Sequence, residues 1–402
     1  MPNRLSVDNR LLKSNENWIF VHYKKNFMKR PLFSLLILLA IFPTTDKENY
    51  LIVGTYNSAK SEGIYVYKFN SIDGSFEEIS HIKSANPSYI AVAPGEKFVY
   101  AVHEIARDGK GGEVAAFSFN KREGTLTFIN QQLTGGDHPC YVEVDKTGKW
   151  VIVANYSSGS FSVLPVNKDG SLGLATTTIQ HEGNGKIPER QKGPHAHCAK
   201  LSADNKWLFV ADLGMDKLMI YSFNAITGKL APAKNPFAAS EPGSGPRHFT
   251  FHPTNKYAYL IEEMSGTVVA FKYSNGTLKS LQRISTLPAG DTGLIGSADI
   301  HVSPDVKFLY ASNRGKGNSN TIAIFKIDNT TGTIKTMGHQ YTMGNIPRNF
   351  NFDPTGDFLL VANQESDDIV IFKKNKQTGL LTDTGKRINV GKPVCLNWMS
   401  IK

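Results

Sequence analysis

The sequence predicts an all-β fold, a seven-bladed β-propeller of four-stranded antiparallel blades whose last blade is shared between the N- and C-termini. Three observations predict it: a phrase that recurs about every fifty residues, a period-two alternation inside each copy, and complementary fragments at the two ends of the chain.

The phrase reads Pro-x-x-apolar-x-apolar-x-Pro/Asp-x-Gly/Asn-Lys-apolar-apolar-apolar-Ala-Asn/Glu. Its copies are NPSYIAVAPGEKFVYAVHE (86–104), HPCYVEVDKTGKWVIVANY (138–156), PHAHCAKLSADNKWLFVADLG (194–214), GPRHFTFHPTNKYAYLIEE (245–263), GSADIHVSPDVKFLYASNR (296–314) and IPRNFNFDPTGDFLLVANQ (346–364), with a truncated seventh, KPVCLNWMSIK, at the C-terminus. Pro87, Pro139, Ala196, Pro246, Ser297, Pro347 and Pro393 hold the opening position at separations of 52, 57, 50, 51, 50 and 46, so one short insertion precedes the third copy. A period of this length belongs to a solenoid, a propeller or an array.

Each copy alternates apolar and polar residues, turns at a Pro/Asp-Gly/Asn signal, then runs through Val, Ile, Phe, Tyr and Leu, which predicts two strands joined by a tight hairpin. Two more strands follow, as in GTVVAFKYSNGTLKSLQRI after Glu263 and in DDIVIFKKN, QTG, LLTDTGKRI after Gln364. Four antiparallel strands with no amphipathic helix between them make a propeller blade. The seventh copy supplies only an innermost strand, whereas Tyr50 to Ile82 supplies strands two, three and four without a first. Pairing the termini in one blade closes the ring and leaves no unpaired edge.

Residues 1–45 read as an N-terminal extension and signal peptide, and residues 46–402 as one propeller domain. From Met28, the expected true start, MKRPLFSLLILLAIFPTT has a basic beginning, an apolar run of about a dozen residues and a small polar end. A bilayer-spanning helix needs about twenty apolar residues. The expected location is periplasmic or secreted; a cytoplasmic protein or an uncleaved membrane anchor are the alternatives, since no Ala-x-Ala pattern marks a cleavage site. Residues 1–30 carry seven Lys/Arg against Asp8 and Glu16, so half of the net charge of +10 lies there. The body is only mildly basic and has no Lys/Arg run interleaved with aromatics, which argues against a nucleic-acid partner. Cys140, Cys198 and Cys395 give no disulfide framework and all fall in innermost strands, as packing residues do.

If the first strand of a blade starts at one face of the ring, the second returns to that face. The start of strand one and the end of strand two then converge on one mouth of the central channel. The first set is Ser88, Cys140, His197, Arg247, Ala298, Arg348 and Val394, followed by Tyr89, Tyr141, Cys198, His248, Asp299, Asn349 and Cys395; the second is His103-Glu104, Asn155-Tyr156, Asp212-Leu213, Glu262-Glu263, Asn313-Arg314 and Asn363-Gln364. Asn155, Asp212, Asn313 and Asn363 are expected to cap turns, and His252 to face the opposite mouth. Packing needs none of His195, His197, Arg247, His248, Glu263, Asp299, His301, Arg314, Arg348, His103 or Glu104. Arginines present fork-shaped donors to carboxylate or phosphate, and His and Glu in a partly dry channel suit proton transfer. The pattern predicts a site for a small anionic ligand with an acid/base pair. The sequence has no GxSxG elbow, P-loop, HExxH or CxxC pair.

GPRHFTFHPTNKYAYLIEE, SADIHVSPDVKFLYASNR, IPRNFNFDPTGDFLLVANQ and the opening VGTYNSAKSEGIYVYKFN resemble the lactonase family of seven-bladed propellers, which includes cycloisomerase-type 6-phosphogluconolactonases and carboxymuconate lactonizing enzymes. The resemblance covers Tyr50 to Lys402. It implies a cofactor-free, metal-independent site at the channel mouth with His197, Arg247, Glu263 and Arg314 as catalytic residues, and it leaves His195 as the rival of His197 for the family position. His195, His248, Asp299, His301, Arg348, His103 and Glu104 are then expected to bind a lactone or sugar-acid substrate. The implied activity is lactone hydrolysis by a monomer, with His197 or Glu263 activating water and Arg247 or Arg314 stabilising the oxyanion. The alternatives are a muconate-type lactonizing lyase, a non-enzymatic exported surface propeller and, through Glu262 and Asp212, a calcium-dependent lactonase.

Overall fold

The computed structural model describes residues 48–106, 111–290 and 296–401. The expected N-terminal extension and signal peptide, residues 1–45, and Met28 with them, lie outside the described residues. The rest forms seven four-stranded antiparallel sheets, six of them in sequential strand order from the channel outward. Blade 1 comprises Ile90–Val92, Phe98–His103, Glu113–Asn120 and Thr125–Leu133; blade 2 starts at Pro139–Val144, blade 3 at Ala196–Leu201, blade 4 at Pro246–Phe251, blade 5 at Ser297–Val302 and blade 6 at Pro347–Phe352. Blade 7 is the shared one: Pro393–Ser400 is its innermost strand, followed by Glu48–Thr55, Gly63–Asn70 and Ser75–Lys83. Its inner pair runs from Asn49 opposite Ser400 to Gly54 opposite Cys395.

The repeated phrase has a physical reading at each position. The run of Val, Ile, Leu, Phe and Tyr is strand two, buried on both faces between its neighbours; Trp150–Asn155, Tyr257–Glu262 and Phe358–Asn363 are buried at every residue. In blades 2, 3, 5 and 6 the residue at the turn caps the hairpin through its side chain. Asp145 Oδ1 accepts from the Trp150 amide at 2.9 Å, Asp353 Oδ1 from the Phe358 amide at 2.7 Å, and the Ser202 and Ser303 hydroxyls do the same for Trp207 and Phe308 at 3.0 Å. His252 holds this turn position in blade 4, bonded to Thr254 and Asn329.

The Gly/Asn of the phrase is the left-handed residue of the turn: φ is 68° at Gly148, 60° at Asn205, 54° at Asn255 and 71° at Gly356. Blades 1 and 5 depart from the pattern, because Glu96 at φ 54° and a valine, Val306, at φ 55° hold the same conformation. A β-branched residue pays a steric penalty there, about 1–2 kcal/mol. Val306→Asn, which restores the residue that blades 3 and 4 use, is expected to stabilise the fold by about 1 kcal/mol; urea unfolding measures it, and an unchanged midpoint would show that the turn carries no strain.

Candidate active site at the channel mouth

Two backbone devices build the mouth. In blades 2 to 7 the ladder between the first two strands slips by one residue just after its start. The extra residue belongs to a β-bulge, which frees one side chain from the ladder and re-aims it. At that point stand Cys140, His197, Arg247, Ala298, Arg348 and Val394, and Ser88 precedes the short first strand of blade 1. The second device is a clip. The residue just past strand two donates its N–H to the carbonyl two residues before that position in all seven blades: Tyr56 to Lys392, Glu104 to Asn86, Tyr156 to His138, Leu213 to His195, Glu263 to Gly245, Arg314 to Gly296 and Gln364 to Ile346, at 2.7–3.2 Å. Bulge residue and clip residue are thereby locked side by side.

The richest cluster centres on Glu263. Its Oε2 accepts from Arg247 Nε at 2.9 Å and from Arg314 Nη2 at 2.7 Å, while Oε1 accepts from Arg190 Nη2 at 2.7 Å. Burial alone would raise the Glu263 pKa, but Arg314, Arg247 and Arg190 outweigh it and hold the carboxyl far below the usual range. A carboxylate with both oxygens committed to guanidiniums is an anchor and a poor base. Arg247 is itself only 1% exposed and spends a second donor on the Ala298 carbonyl at 2.5 Å; Arg314 spends Nε on the Gly296 carbonyl at 2.7 Å.

Opposite it lies a second cluster. Glu104 accepts from the Tyr56 hydroxyl at 2.7 Å and from the Ser88 hydroxyl, and Arg348 approaches the same carboxylate at 4.0 Å with its guanidinium over the Tyr56 ring. Arg348 is the one of the four mouth arginines with no hydrogen bond to a protein acceptor among the described residues.

His197 joins the two halves. Its ring is buried beside the Cys140 sulfur, 3.8 Å from Nδ1, and meets Tyr156 and His248 edge to face. Burial, then the charges of Arg247, His248 and Arg348, push its pKa well below the usual imidazole value, so the ring is neutral. The Cys140 thiol is pushed up by burial and by Glu104, which leaves it protonated. One layer deeper, Asp299 joins His248 Nδ1 at 2.8 Å to His301 Nε2 at 2.9 Å and also takes Asn349 Nδ2. Burial lowers His248 to about 4.

The structure therefore brings His197, Arg247, Glu263, Arg314, Arg348 and Glu104 together, with His248, Asp299 and His301 beneath them. His195 is at the rim, stacked on Tyr156 and bonded to its carbonyl at 2.9 Å, while His197 holds the bulge register that Arg247 and Arg348 share. His103 is a correction. It is the last residue of strand two, whose side chain points outward between strands; its ring meets Ser84 at 3.0 Å and Glu113 at 3.4 Å instead of the channel. The same geometry takes Asp212 to His181 and Glu262 to Thr267 and Arg283; Asp212 also caps its turn by accepting from the Met215 amide, whereas Asn155, Asn313 and Asn363 donate to the carbonyls of Thr134, Thr286 and Thr342, just past the preceding blade's outer strand. Among the described residues no three His, Cys, Asp or Glu side chains converge so as to hold a metal ion.

Two partners escaped the sequence reading. Tyr56 was readable, because it follows strand two of the shared blade as Glu104 and Glu263 follow theirs. Arg190 carries no repeat signal at all, since it lies in the insertion.

Residues 50–398 match the model of the family described as "Lactonase, 7-bladed beta-propeller". The chain belongs to this lactonase family. It is 37% identical over 350 residues to the 6-phosphogluconolactonase of Bacillus subtilis, covering 86% of this chain and 97% of that protein, and 39% identical over 334 residues to a 6-phosphogluconolactonase of Formosa agariphila, covering 82% and 94%. Among solved structures, the periplasmic gluconolactonase of Pseudomonas aeruginosa superposes with a TM-score of 0.84 at 36% identity, over 88% of this chain and all of that one.

For this lactonase-family chain, removing the anchor leaves three guanidiniums facing one another. Glu263→Gln is expected to cost about 3 kcal/mol at pH 7. The folded-state pKa of Glu263 lies below its unfolded value, so its contribution is complete above an unfolded pKa of about 4.3 and is lost as pH falls toward the folded one. The stability gap between wild type and variant, measured by urea unfolding, should hold from pH 5 to about 8 and narrow below about pH 4.

Proposed function

We propose that the chain hydrolyses a sugar lactone to its acid, with 6-phosphogluconolactone as the substrate. The carrying observation is a buried, neutral imidazole, His197, set between carboxylate-anchored arginines and the guanidinium of Arg348, which lies near Glu104 but spends no hydrogen bond on a protein acceptor among the described residues. The family and the relatives' activities support the same reading.

In this reading the lactone carbonyl lies between His197 and Arg348. His197 takes a proton from water as the water oxygen attacks the carbonyl carbon, and Arg348 donates to the oxygen that becomes negative. The tetrahedral intermediate collapses with cleavage of the ring C–O bond, and the proton held by His197 passes to the departing alkoxide. The acid product then ionises to the carboxylate. Arg247 and Arg314 act through Glu263, which fixes the arginine array before substrate arrives, so little reorganisation is needed as charge develops. Glu104, Tyr56 and Ser88 place Arg348. His195 and Tyr156 form a flat wall at the rim against which a sugar ring can lie, and His248 with Asp299 and His301 supports His197 from below.

The basic and apolar segment after Met28, together with the periplasmic location in the name of the Pseudomonas relative, supports export of this chain. An exported enzyme meets lactones outside the cytoplasm.

Two measurements test the assignment. With 6-phosphogluconolactone, and spontaneous opening subtracted, His197→Ala should lower kcat by about 10²–10⁴ and Arg348→Ala by about 10²–10³; unchanged rates in folded variants would remove the site. Because His197 must be neutral to act and its pKa is held below the ordinary imidazole value, kcat/KM should be level between pH 6.5 and about 8 and fall on the acid side only. An acid limb centred at or above pH 7 would assign the base elsewhere.

A further inference from the structure

The connection between blades 2 and 3 is longer than those leading into most other blades. It runs from Gln180 to Ala196 and contains the helix Pro188–Gln191, whereas Leu133 to Pro139 and Tyr341 to Pro347 are direct turns. The insertion is bolted to the ring. Gln191 is fully buried; its Nε2 donates to the Leu213 carbonyl at 2.8 Å and to Asp216 Oδ1 at 2.7 Å, and its Oε1 accepts from the Ile187 amide at 3.0 Å. Asp216 in turn receives the amides of Gly243 and Gly245 at 2.7 and 2.9 Å, and Gly245 is the residue that clips Glu263. One network therefore holds both the insertion and the blade-4 end of the site.

The residue before Gln191 is Arg190. Its Nη2 reaches Glu263 at 2.7 Å and the Tyr156 hydroxyl at 3.5 Å, yet its side chain remains 45% exposed, against 1% for Arg247 and 15–18% for Arg314 and Arg348. Arg190 is thus the outermost guanidinium, held at one end and open at the other. Charge points the same way. Four guanidiniums face two carboxylates at the mouth, and the third carboxylate, Asp299, is taken up by His248, His301 and Asn349. A neutral lactone leaves that excess uncompensated, whereas a phosphate monoester brings about −1.5 to −2 at pH 7 with acceptor oxygens that fit a guanidinium fork.

We propose that Arg190 is a specificity-determining residue that binds the terminal anionic group of the substrate, a phosphate monoester on an aldonolactone, while the carbonyl lies at His197. The inference rests on the lactonase reading above and adds to it the residue that distinguishes a phosphorylated lactone from an uncharged one. The insertion, absent from the repeat pattern, is the part of the chain that carries the selectivity.

The test compares 6-phosphogluconolactone with gluconolactone for wild type, Arg190→Ala and Arg190→Lys at low and high ionic strength, with thermal unfolding as the folding control. A charge-assisted contact of this kind corresponds to about 10- to 100-fold in affinity. Arg190→Ala should therefore lower kcat/KM for the phosphorylated lactone by that factor more than for gluconolactone, chiefly through KM, and Arg190→Lys should recover part of it. Salt should raise the wild-type KM for the phosphorylated lactone and affect the alanine variant less. An equal fall on both lactones would reduce Arg190 to a prop for Glu263 and overturn the inference while leaving the lactonase in place, as would a wild type with no preference for phosphate. No wild-type hydrolysis of either lactone would instead overturn the functional reading itself.

Discussion

The pairing of the two chain ends governs the rest of the structure. Pro393–Ser400 lies antiparallel to Glu48–Thr55, with Val394, Cys395, Leu396 and Met399 buried. Burying apolar side chains of this size contributes about 1.5–3 kcal/mol each, a large share of the net stability of an ordinary domain. The seam also has a chemical role. Arg348 belongs to blade 6, Tyr56 to blade 7 and Glu104 to blade 1, so half of the mouth is assembled across the closure. The arginine that faces His197 has its acidic partner only when the ring is shut.

A second constraint comes from charge. Burying arginines is costly unless each finds a partner, and the structure resolves this unevenly. Glu263 satisfies three guanidiniums at once, and its own ionisation is held firm by them. Burial, reinforced by the same positive field, keeps His197 and His248 neutral. The array thus keeps the carboxylate charged and helps to keep the imidazoles uncharged, while burial and Glu104 hold the Cys140 thiol protonated against the pull of Arg348 and Arg247. The chemistry available to the mouth follows from that electrostatic pattern more than from any single residue.

The architecture was legible because its signals are local and repeated. Val, Ile and Phe at period two, the turn-capping Asp or Ser and the left-handed Gly or Asn each report a backbone requirement, and six full copies average out exceptions such as Glu96 and Val306. The mouth was legible to the extent that register decides it, as for His197, Arg247, Glu263, Arg314 and Arg348. His103 shows the limit. It differs from Glu104 by one residue, and in a strand one residue reverses the face, so proximity in sequence placed it in the channel while the pleat sent it to Ser84 and Glu113. Arg190 shows another. Its position depends on the buried amide of Gln191 finding Asp216 and the Leu213 carbonyl, a tertiary docking that no periodicity encodes. The role of Glu263 was hidden for a related reason: a lone Glu suggests a base, and only the convergence of three arginines on it shows an anchor.

The bulge at the head of the first strand in blades 2 to 7 has an evolutionary reach beyond its geometry. An inserted residue that bonds to no ladder partner is a socket: its side chain can be exchanged without disturbing the hydrogen bonds on either side. The six sockets of blades 2 to 7 hold cysteine, histidine, alanine, valine and two arginines on one unchanging frame. A lineage built on such a ring can retune what it recognises one spoke at a time, with the burden of folding carried elsewhere.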